Sequence, residues 1–547
     1  MTRSRIAAFL LLCVVLWFVG LEDRGLTRPD EGRYAELPRE MAVSGDWVTP
    51  RLNGLKYFEK PPLQYWATAL AYETLGQHNW TARLWPALSG LIGLIFVFVA
   101  GQRLFGVETA IAATLMLASS LWYFAIAHIN TLDMSLTCWM TLTLCGFLYG
   151  QRVDATRRER AFGTIAAWAG MALAVLSKGL IGIVLPGAVL VCYSLWQRDL
   201  KLWTRLHPVT GLAVFLLIAA PWFIVMSARN PEFAQFFFIH EHFSRFSSAE
   251  HRRPGSWWYF VPILLGGIAP WTVLFLSRLG HMKRELTASK AFHPERLLVV
   301  WIVVIFVFFS ASSSKLPSYI LPVFPAMALL MAPGIVHSSQ RAYTWNLVAA
   351  LAASAAFVGG LVTIDRFVTP EMPIGLFENM RPWLAIGTVA LVMGAALALW
   401  LRRADATLRP LLVLSVAAMV AWQSIALSYE ALSPATSSYH LVRKIEAAEG
   451  PFKPDLPFFS VQTYEQTLPF YLKRTMTLVD YTDEMKMGLE LEPALGIPDL
   501  DDFIELWESL PAAYATMRPA EFGKLVDRGL PMRVLGRDTR RVIVGRR

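Results

Sequence analysis

The chain has 547 residues and a formal net charge of +9, with 55% hydrophobic and only 17% charged residues. Ordinary soluble domains run at about 45–50% apolar and about 25% charged. That balance excludes a disordered chain and argues against a soluble enzyme. It asks whether the apolar residues come in runs of about 20, the length that crosses a bilayer.

They do. The runs are 6–21, 84–104, 109–127, 133–150, 162–177, 179–196, 209–227, 258–277, 297–311, 317–336, 345–364, 383–401 and 410–429. About 13 transmembrane helices are expected, taking near half the chain. The first run, Ile6 to Leu21 behind Arg3 and Arg5, is followed by Glu22-Asp23-Arg24 rather than by a small-residue cleavage site. It reads as an uncleaved first helix that starts in the cytoplasm. With that start, the cytoplasmic loops carry Arg103, then Arg152, Arg157, Arg158 and Arg160, then Arg198, Lys201 and Arg205. Arg278, Lys283, Arg284, Lys290, Arg296, Arg341, Arg402, Arg403 and Arg409 follow on the same side. Basic loops on one side are what orients a multi-pass protein, and they account for most of the net charge. No nucleic-acid motif accompanies that charge, so no nucleic-acid partner is inferred.

Two loops on the other side break the pattern. Residues 22–83 hold Arg24, Arg28, Arg33, Arg39, Arg51, Lys56, Lys60 and Arg83, and residues 228–257 hold Arg229, Arg245, Arg252 and Arg253. Long loops translocate whatever their charge; the alternative is that these charges have a use. Cys13, Cys138, Cys145 and Cys192 all lie in apolar spans without metal spacing and read as small apolar residues.

Beyond 1–429, residues 430–547 change character. Leu456 to Val461, Tyr471 to Tyr481, Met532 to Leu535 and Arg541 to Val544 read as strands, and Asp501 to Leu510 and Pro519 to Asp527 as amphipathic helices. This is a small α/β domain, large enough to bury its own core. It carries no Gly-rich phosphate loop, so no nucleotide cofactor is expected.

Six polar strings at span ends are candidates for chemistry. In Arg28-Pro29-Asp30-Glu31-Gly32-Arg33-Tyr34, Pro29 and Gly32 mark a turn holding two acids near the surface. Arg33 has the planar fork that suits a phosphate. The plain alternative is a solvated turn with an ion pair. In Tyr57-Phe58-Glu59-Lys60-Pro61-Pro62, the prolines fix the backbone and aim Lys60. In His128-Ile129-Asn130-Thr131-Leu132-Asp133, Asp133 is either a functional acid or a helix cap. In Ser177-Lys178-Gly179, Lys178 either snorkels or meets an anionic head group. In Phe238-Ile239-His240-Glu241-His242-Phe243-Ser244-Arg245, His240 with Glu59 could hold a divalent cation, although two ligands are too few for a structural zinc site. Arg245 is a further phosphate candidate. Ser314-Lys315-Leu316-Pro317-Ser318-Tyr319-Ile320-Leu321-Pro322 adds a cation and a phenol on irregular backbone, which is tolerated at membrane depth where it lines a cavity. The combined basic set suits an anionic, lipid-borne substrate.

These residues resemble a known family. An Asp-Glu pair in the first outside loop of a many-helix chain is similar to the GT-C class of polyprenyl-phosphate-sugar glycosyltransferases, which includes the protein O-mannosyltransferases. The closer resemblance is to the bacterial lipid A 4-amino-4-deoxy-L-arabinose transferases. It rests on Pro29-Asp30-Glu31-Gly32-Arg33-Tyr34-Ala35-Glu36, Glu59-Lys60-Pro61-Pro62-Leu63, Leu176-Ser177-Lys178-Gly179 and Ser314 to Pro322, over about residues 20–335. The resemblance implies a polytopic GT-C fold in the bacterial inner membrane, with its site facing the periplasm and a C-terminal periplasmic α/β domain. It implies an undecaprenyl-phosphate-linked aminoarabinose donor and a lipid A phosphate acceptor. Such transfer lowers the negative charge of lipid A and so its binding of polymyxin and other cationic peptides.

A phosphate acceptor is already anionic near neutral pH and needs little general-base help. Asp30 is therefore expected to position reactants or pair with the sugar amine, with Asp133 as the second acid for that amine. Lys60, Arg33, Lys178 and Arg245 are expected to stabilise charge on the leaving lipid phosphate. Glu31, Tyr57, Lys315 and Tyr319 complete the expected substrate-binding set, and Glu59 with His240 forms a secondary metal or phosphate site. The rivals are a related transferase acting on protein or another lipid, and a lipid flippase. A flippase calls for charges near mid-span and repeated halves, and the sequence has neither.

Overall fold

The computed structural model describes residues 12–244, 255–287, 292–337, 340–362, 366, 368–402 and 408–546, with the side chains of 240–244, 284, 336, 337, 340 and 355–362 outside that description. Among the described residues, eight helices are long and apolar enough to cross a membrane, or ten if each of two bent pairs is one crossing. Val107–Ala118 and Leu121–Ala127 meet at 64°, and Phe260–Gly267 and Thr272–His281 at 108°. The apolar runs 162–177 and 179–196 form Arg157–Lys178 and the shorter Ile181–Gln197. The protein is thus a multi-pass helical bundle; among the described residues fewer than thirteen full crossings are found, and the first expected span, 6–21, begins outside them.

Local chemistry sets where the site-forming helices begin and end. Arg157–Lys178 opens on a capping box between Thr156 and Glu159 and closes at Gly179, whose φ of +99° a residue with a Cβ rarely adopts. That stop leaves Lys178 as the last helical residue. Leu132–Gly150 is the deepest helix, packed against Asn79–Phe105, Arg157–Lys178, Ile181–Gln197 and the 3-10 segment Pro317–Val323.

The segment 22–83 is not irregular backbone. It folds as the helix Asp30–Ser44, a hairpin of β1 (Arg51–Leu52) and β2 (Leu55–Lys56), and the helix Leu63–Leu75. Pro29 stands at the helix N-cap, so Asp30 and Glu31 occupy a first helical turn rather than a surface turn. Acids there complement the helix dipole. Glu31, Glu36, Arg39 and Glu40 are buried together with Tyr34, Leu37 and Met41, so charges interrupt the apolar periodicity that marks a helix. Arg39 and Glu36 pair at 2.6 Å within the helix.

The C-terminal domain is a sheet of six strands, β3 Phe458–Val461, β4 Thr477–Val479, β5 Gly496–Ile497, β6 Tyr514–Met517, β7 Arg533–Arg537 and β8 Val542–Gly545. Their order is β5-β4-β3-β6-β8-β7, with β3 to β6 parallel and β8 antiparallel to both β6 and β7. Strands β5 and β6 were not expected from the sequence. The stretch read as a strand from Tyr471 to Tyr481 strands only at β4, following the short helix Leu468–Leu472.

Alternate strand residues serve two cores. Phe459, Val461, Val542 and Val544 pack with Phe503, Trp507 and Leu525 of the two covering helices. Phe458 and Ile543 face the other way, into a core shared with Tyr34, Leu37, Met41, Leu52, Leu55 and Tyr57. One face of the domain is therefore its own, and the other is built on the segment after the first apolar run.

Candidate active site

Four elements converge at one end of the bundle: the starts of Asp30–Ser44 and Leu132–Gly150, the end of Arg157–Lys178, and the segment Pro317–Val323. Thr131, not Asp133, occupies the N-cap of Leu132–Gly150. Asp133 instead accepts a hydrogen bond from the Lys178 ammonium. That ammonium sits 4.7 Å from the centre of the Tyr319 ring, a cation–π contact. The irregular backbone under Tyr319 is secured by indole donors. Trp122 donates to the Pro317 carbonyl at 3.0 Å and Trp301 to that of Pro322 at 2.8 Å. Ser177 and Ser135 share a hydrogen bond of 2.9 Å just below Lys178.

Asp30 lies within electrostatic reach of Lys178. Its side chain is 45% exposed and accepts from Arg33 at 3.0 Å. Arg33 also holds Glu484 of the C-terminal domain at 2.6 Å, and lies within electrostatic reach of Tyr57, Tyr34 and Glu59. Burial, and next the charge of Glu59, pushes the Tyr57 and Tyr65 phenols above their ordinary value and keeps them neutral. Both hydroxyls are buried with no hydrogen-bond partner among the described residues. Burial lifts the Glu484 carboxyl above its ordinary value, against the pull of Arg33.

Asp30, Asp133, Arg33, Tyr57, Lys178, Tyr319 and Glu59 thus form one neighbourhood. Glu59 and Lys60 are half-buried on a segment anchored by Phe58, which meets Phe233 edge-on at 5.6 Å. Lys60 donates to the Glu59 carbonyl at 3.0 Å. Lys315 is buried and donates to the Ser312 carbonyl, so its described contact is with its own turn.

Glu31 differs from the expectation. Its carboxylate takes Arg83 at 2.7 and 2.8 Å, the Thr27 hydroxyl at 2.9 Å and the Asn130 backbone N–H at 3.0 Å. Arg83 donates further to the carbonyls of Leu21, Arg24 and Gly25. Glu31 and Arg83 are 1% and 0% exposed. Burial works to raise the Glu31 carboxyl, but Arg83 and Arg24 hold it down at about 2. With every oxygen occupied, Glu31 braces the scaffold rather than a ligand. Arg245 lies outside the described residues. His240 lies on the helix Gln235–Ser244, but its side chain is outside the description, so its pairing with Glu59 has no geometry. No group of three or more His, Cys, Asp or Glu side chains able to hold a metal occurs among the described residues.

Glu484 and Gln466 were missed by sequence reasoning, and Arg83 and Asn130 were noted there without a role. Arg83 carried a signal, as a lone cation opening a long apolar span. Glu484 carried none, since it sits among the exposed acids Asp480 and Asp483.

Two family models match the chain. Residues 5–237 match the dolichyl-phosphate-mannose-protein mannosyltransferase model, and residues 441–546 match the aminoarabinose transferase C-terminal domain. A bundle with acids and cations gathered at its helix ends, joined to these two matches, defines a membrane glycosyltransferase of the GT-C type. A curated relative from Pseudomonas aeruginosa, named undecaprenyl phosphate-alpha-4-amino-4-deoxy-L-arabinose arabinosyl transferase, is 33% identical over 81% of this chain and 78% of its own. One of the same name from Erwinia tasmaniensis is 30% identical over 71% and 72%. The crystal structure of ArnT from Cupriavidus metallidurans bound to undecaprenyl phosphate is 39% identical, with a TM-score of 0.94 over 100% of this chain and 98% of that one. The chain belongs to this aminoarabinose transferase family.

Proposed function

We propose that the protein transfers 4-amino-4-deoxy-L-arabinose from undecaprenyl phosphate to a phosphate of lipid A, at the periplasmic face of the bacterial inner membrane. The observation that carries this reading is the end-to-end likeness to a transferase structure that holds undecaprenyl phosphate. Its consequence for the cell is resistance to polymyxin and other cationic peptides, since the added amine offsets lipid A charge.

In the proposed reaction an oxygen of the acceptor phosphate attacks the anomeric carbon. The bond from that carbon to the donor phosphate oxygen breaks, and undecaprenyl phosphate leaves. The acceptor oxygen is already ionised, so no proton has to be removed, and a single displacement inverts the anomeric centre. Lys178 is suited to the charge that grows on the leaving phosphate, because Asp133 and Tyr319 hold it aimed before substrate arrives. Arg33 and Lys60 are the further cations in this reading, with Arg245 and Lys315 as outlying ones. Asp30 is the exposed acid, suited to the sugar amine. A divalent cation on Glu59 and His240 is a secondary proposal; transfer that survives a chelator, with a harmless His240→Ala, removes it.

The mannosyltransferase match over residues 5–237 favours one second reading, a protein acceptor. Mass spectrometry of lipid A from cells with and without the gene separates the two. A phosphate-linked pentosamine that depends on the gene supports lipid A as acceptor. Unchanged lipid A with altered glycoproteins supports the second reading. For the site, Asp30→Asn and Lys60→Ala are each expected to abolish most transfer while folding normally. Near-normal transfer by both would sink this site.

A further inference from the structure

The C-terminal domain reaches the reacting end of the bundle through Glu484, among other contacts. Glu484, in the 3-10 turn Asp483–Met485 after β4, accepts from Arg33 Nε at 2.8 Å and from Arg33 Nη2 at 2.6 Å through its Oε2. Its Oε1 accepts from the Gln466 side chain. The remaining Arg33 nitrogen, Nη1, donates to Asp30 at 3.0 Å. The Arg33 and Glu484 side chains are 15% and 12% exposed, and Asp30 is 45% exposed. An arginine fork gripped from one side by a largely buried, doubly held carboxylate offers its remaining nitrogen in one direction only.

The backbone makes the same junction. A Cβ at Gly32 would come within 2.6 Å of the Gln466 carbonyl carbon and 2.7 Å of the Thr467 nitrogen. Helix and domain therefore touch backbone to backbone one residue before Arg33, which leaves little play in the Glu484–Arg33 distance.

We propose that Glu484 is a positioning residue for the transfer reaction: the C-terminal domain fixes Arg33, and through Arg33 fixes Asp30 at the reacting end of the bundle. The inference rests on the site proposed above. Gln466 is the outer support of the same chain. Asp30 is the group expected to touch substrate, and Glu484 acts on it only through Arg33.

A second contact of the same kind provides a matched control. Glu492, also in the C-terminal domain, holds Arg51 of the hairpin at 2.9 Å and the Lys56 backbone N–H at 3.0 Å. It ties the domain to the same segment, but its arginine does not reach Asp30. If domain docking alone matters, the two glutamates are equivalent.

The test compares steady-state transfer by full-length wild type, Glu484→Gln, Glu492→Gln, Arg33→Lys and the double variant Arg33→Lys/Glu484→Gln, each checked by thermal melt. Glu484→Gln is expected to lower kcat by about ten- to a hundredfold, as a displaced catalytic group does, with donor KM within about threefold. Glu492→Gln keeps kcat within about twofold. The double variant loses no more than Arg33→Lys alone, because both changes cut one chain of contacts. Should Glu484→Gln fail to fold, Gln466→Leu carries the same expectation at smaller size. Equal losses in Glu484→Gln and Glu492→Gln, or losses that multiply in the double variant, overturn the proposal. The ratios can be read on whichever polyprenyl-phosphate sugar the wild type uses. A different sugar therefore defeats the functional reading and leaves this one measurable.

Discussion

Lys178 and Asp133 illustrate what a single residue reveals. Each is a lone ionisable group at the end of an apolar run, and such a group is too costly to leave without a partner or a purpose. The sequence therefore pointed to both, although their pairing came only from the fold. Lys178→Ala is expected to lower kcat about a hundredfold or more, the usual cost of removing one donor from developing charge. Tyr319→Phe keeps the ring face and should retain most activity, whereas Tyr319→Leu loses the cation–π contact. Near-equal rates for these two in a transfer assay would remove that contact from the account. Glu31 shows the opposite case. It is adjacent to Asp30 in sequence, but successive helical residues point about 100° apart, so one acid faces the site and the other Arg83. Glu31→Gln strips a buried arginine of its counter-charge and is expected to destabilise by about 3–5 kcal/mol, read as a drop in melting temperature. The Glu31 carboxyl is lowered in the folded state from 4.5 to about 2. Its stabilising contribution is therefore full above about pH 4.5 and is lost as pH falls toward 2. Melts of wild type should decline over that window, and Glu31→Gln should decline less.

At the scale of elements, long apolar helices were legible because their length and composition leave no other use for them. The helix Asp30–Ser44 was not legible. Its buried residues include the charges Glu31, Glu36, Arg39 and Glu40 beside Tyr34, Leu37 and Met41, which blurs the apolar period, and Pro29 and Gly32 mimic a turn. Gly32 in fact serves a close approach between helix and domain. Gly32→Ala is accordingly expected to push Gln466 and Thr467 away, lowering both melting temperature and transfer. A Gly32→Ala protein that melts and transfers like wild type would contradict that contact. In the C-terminal domain, β3 and β8 could be read from their apolar residues. The two-residue β5 and the neighbouring crossovers are defined by pairing across the sheet, which local sequence does not encode.

At the scale of the whole molecule, the bundle, the layer formed by residues 30–75 and the C-terminal sheet make one working unit. The sheet buries Phe458 and Ile543 against Tyr34, Leu37 and Leu55, so the layer that carries Asp30 and Arg33 is held between membrane helices and sheet. The membrane class and the family resemblance were legible because their motifs are contiguous. The contribution of Glu484 was not, because it lies 451 residues from Arg33 along the chain. The proposed reaction is a lipid-to-lipid sugar transfer that depends on the cationic end of the bundle. The most direct test is transfer from undecaprenyl phosphate-linked aminoarabinose to lipid A in proteoliposomes, with wild type beside Lys178→Ala and the product read by mass spectrometry. Wild type is expected to leave a phosphate-linked pentosamine on lipid A, and Lys178→Ala almost none. Unmodified lipid A with folded wild type, or equal product from Lys178→Ala, would contradict the proposed reaction.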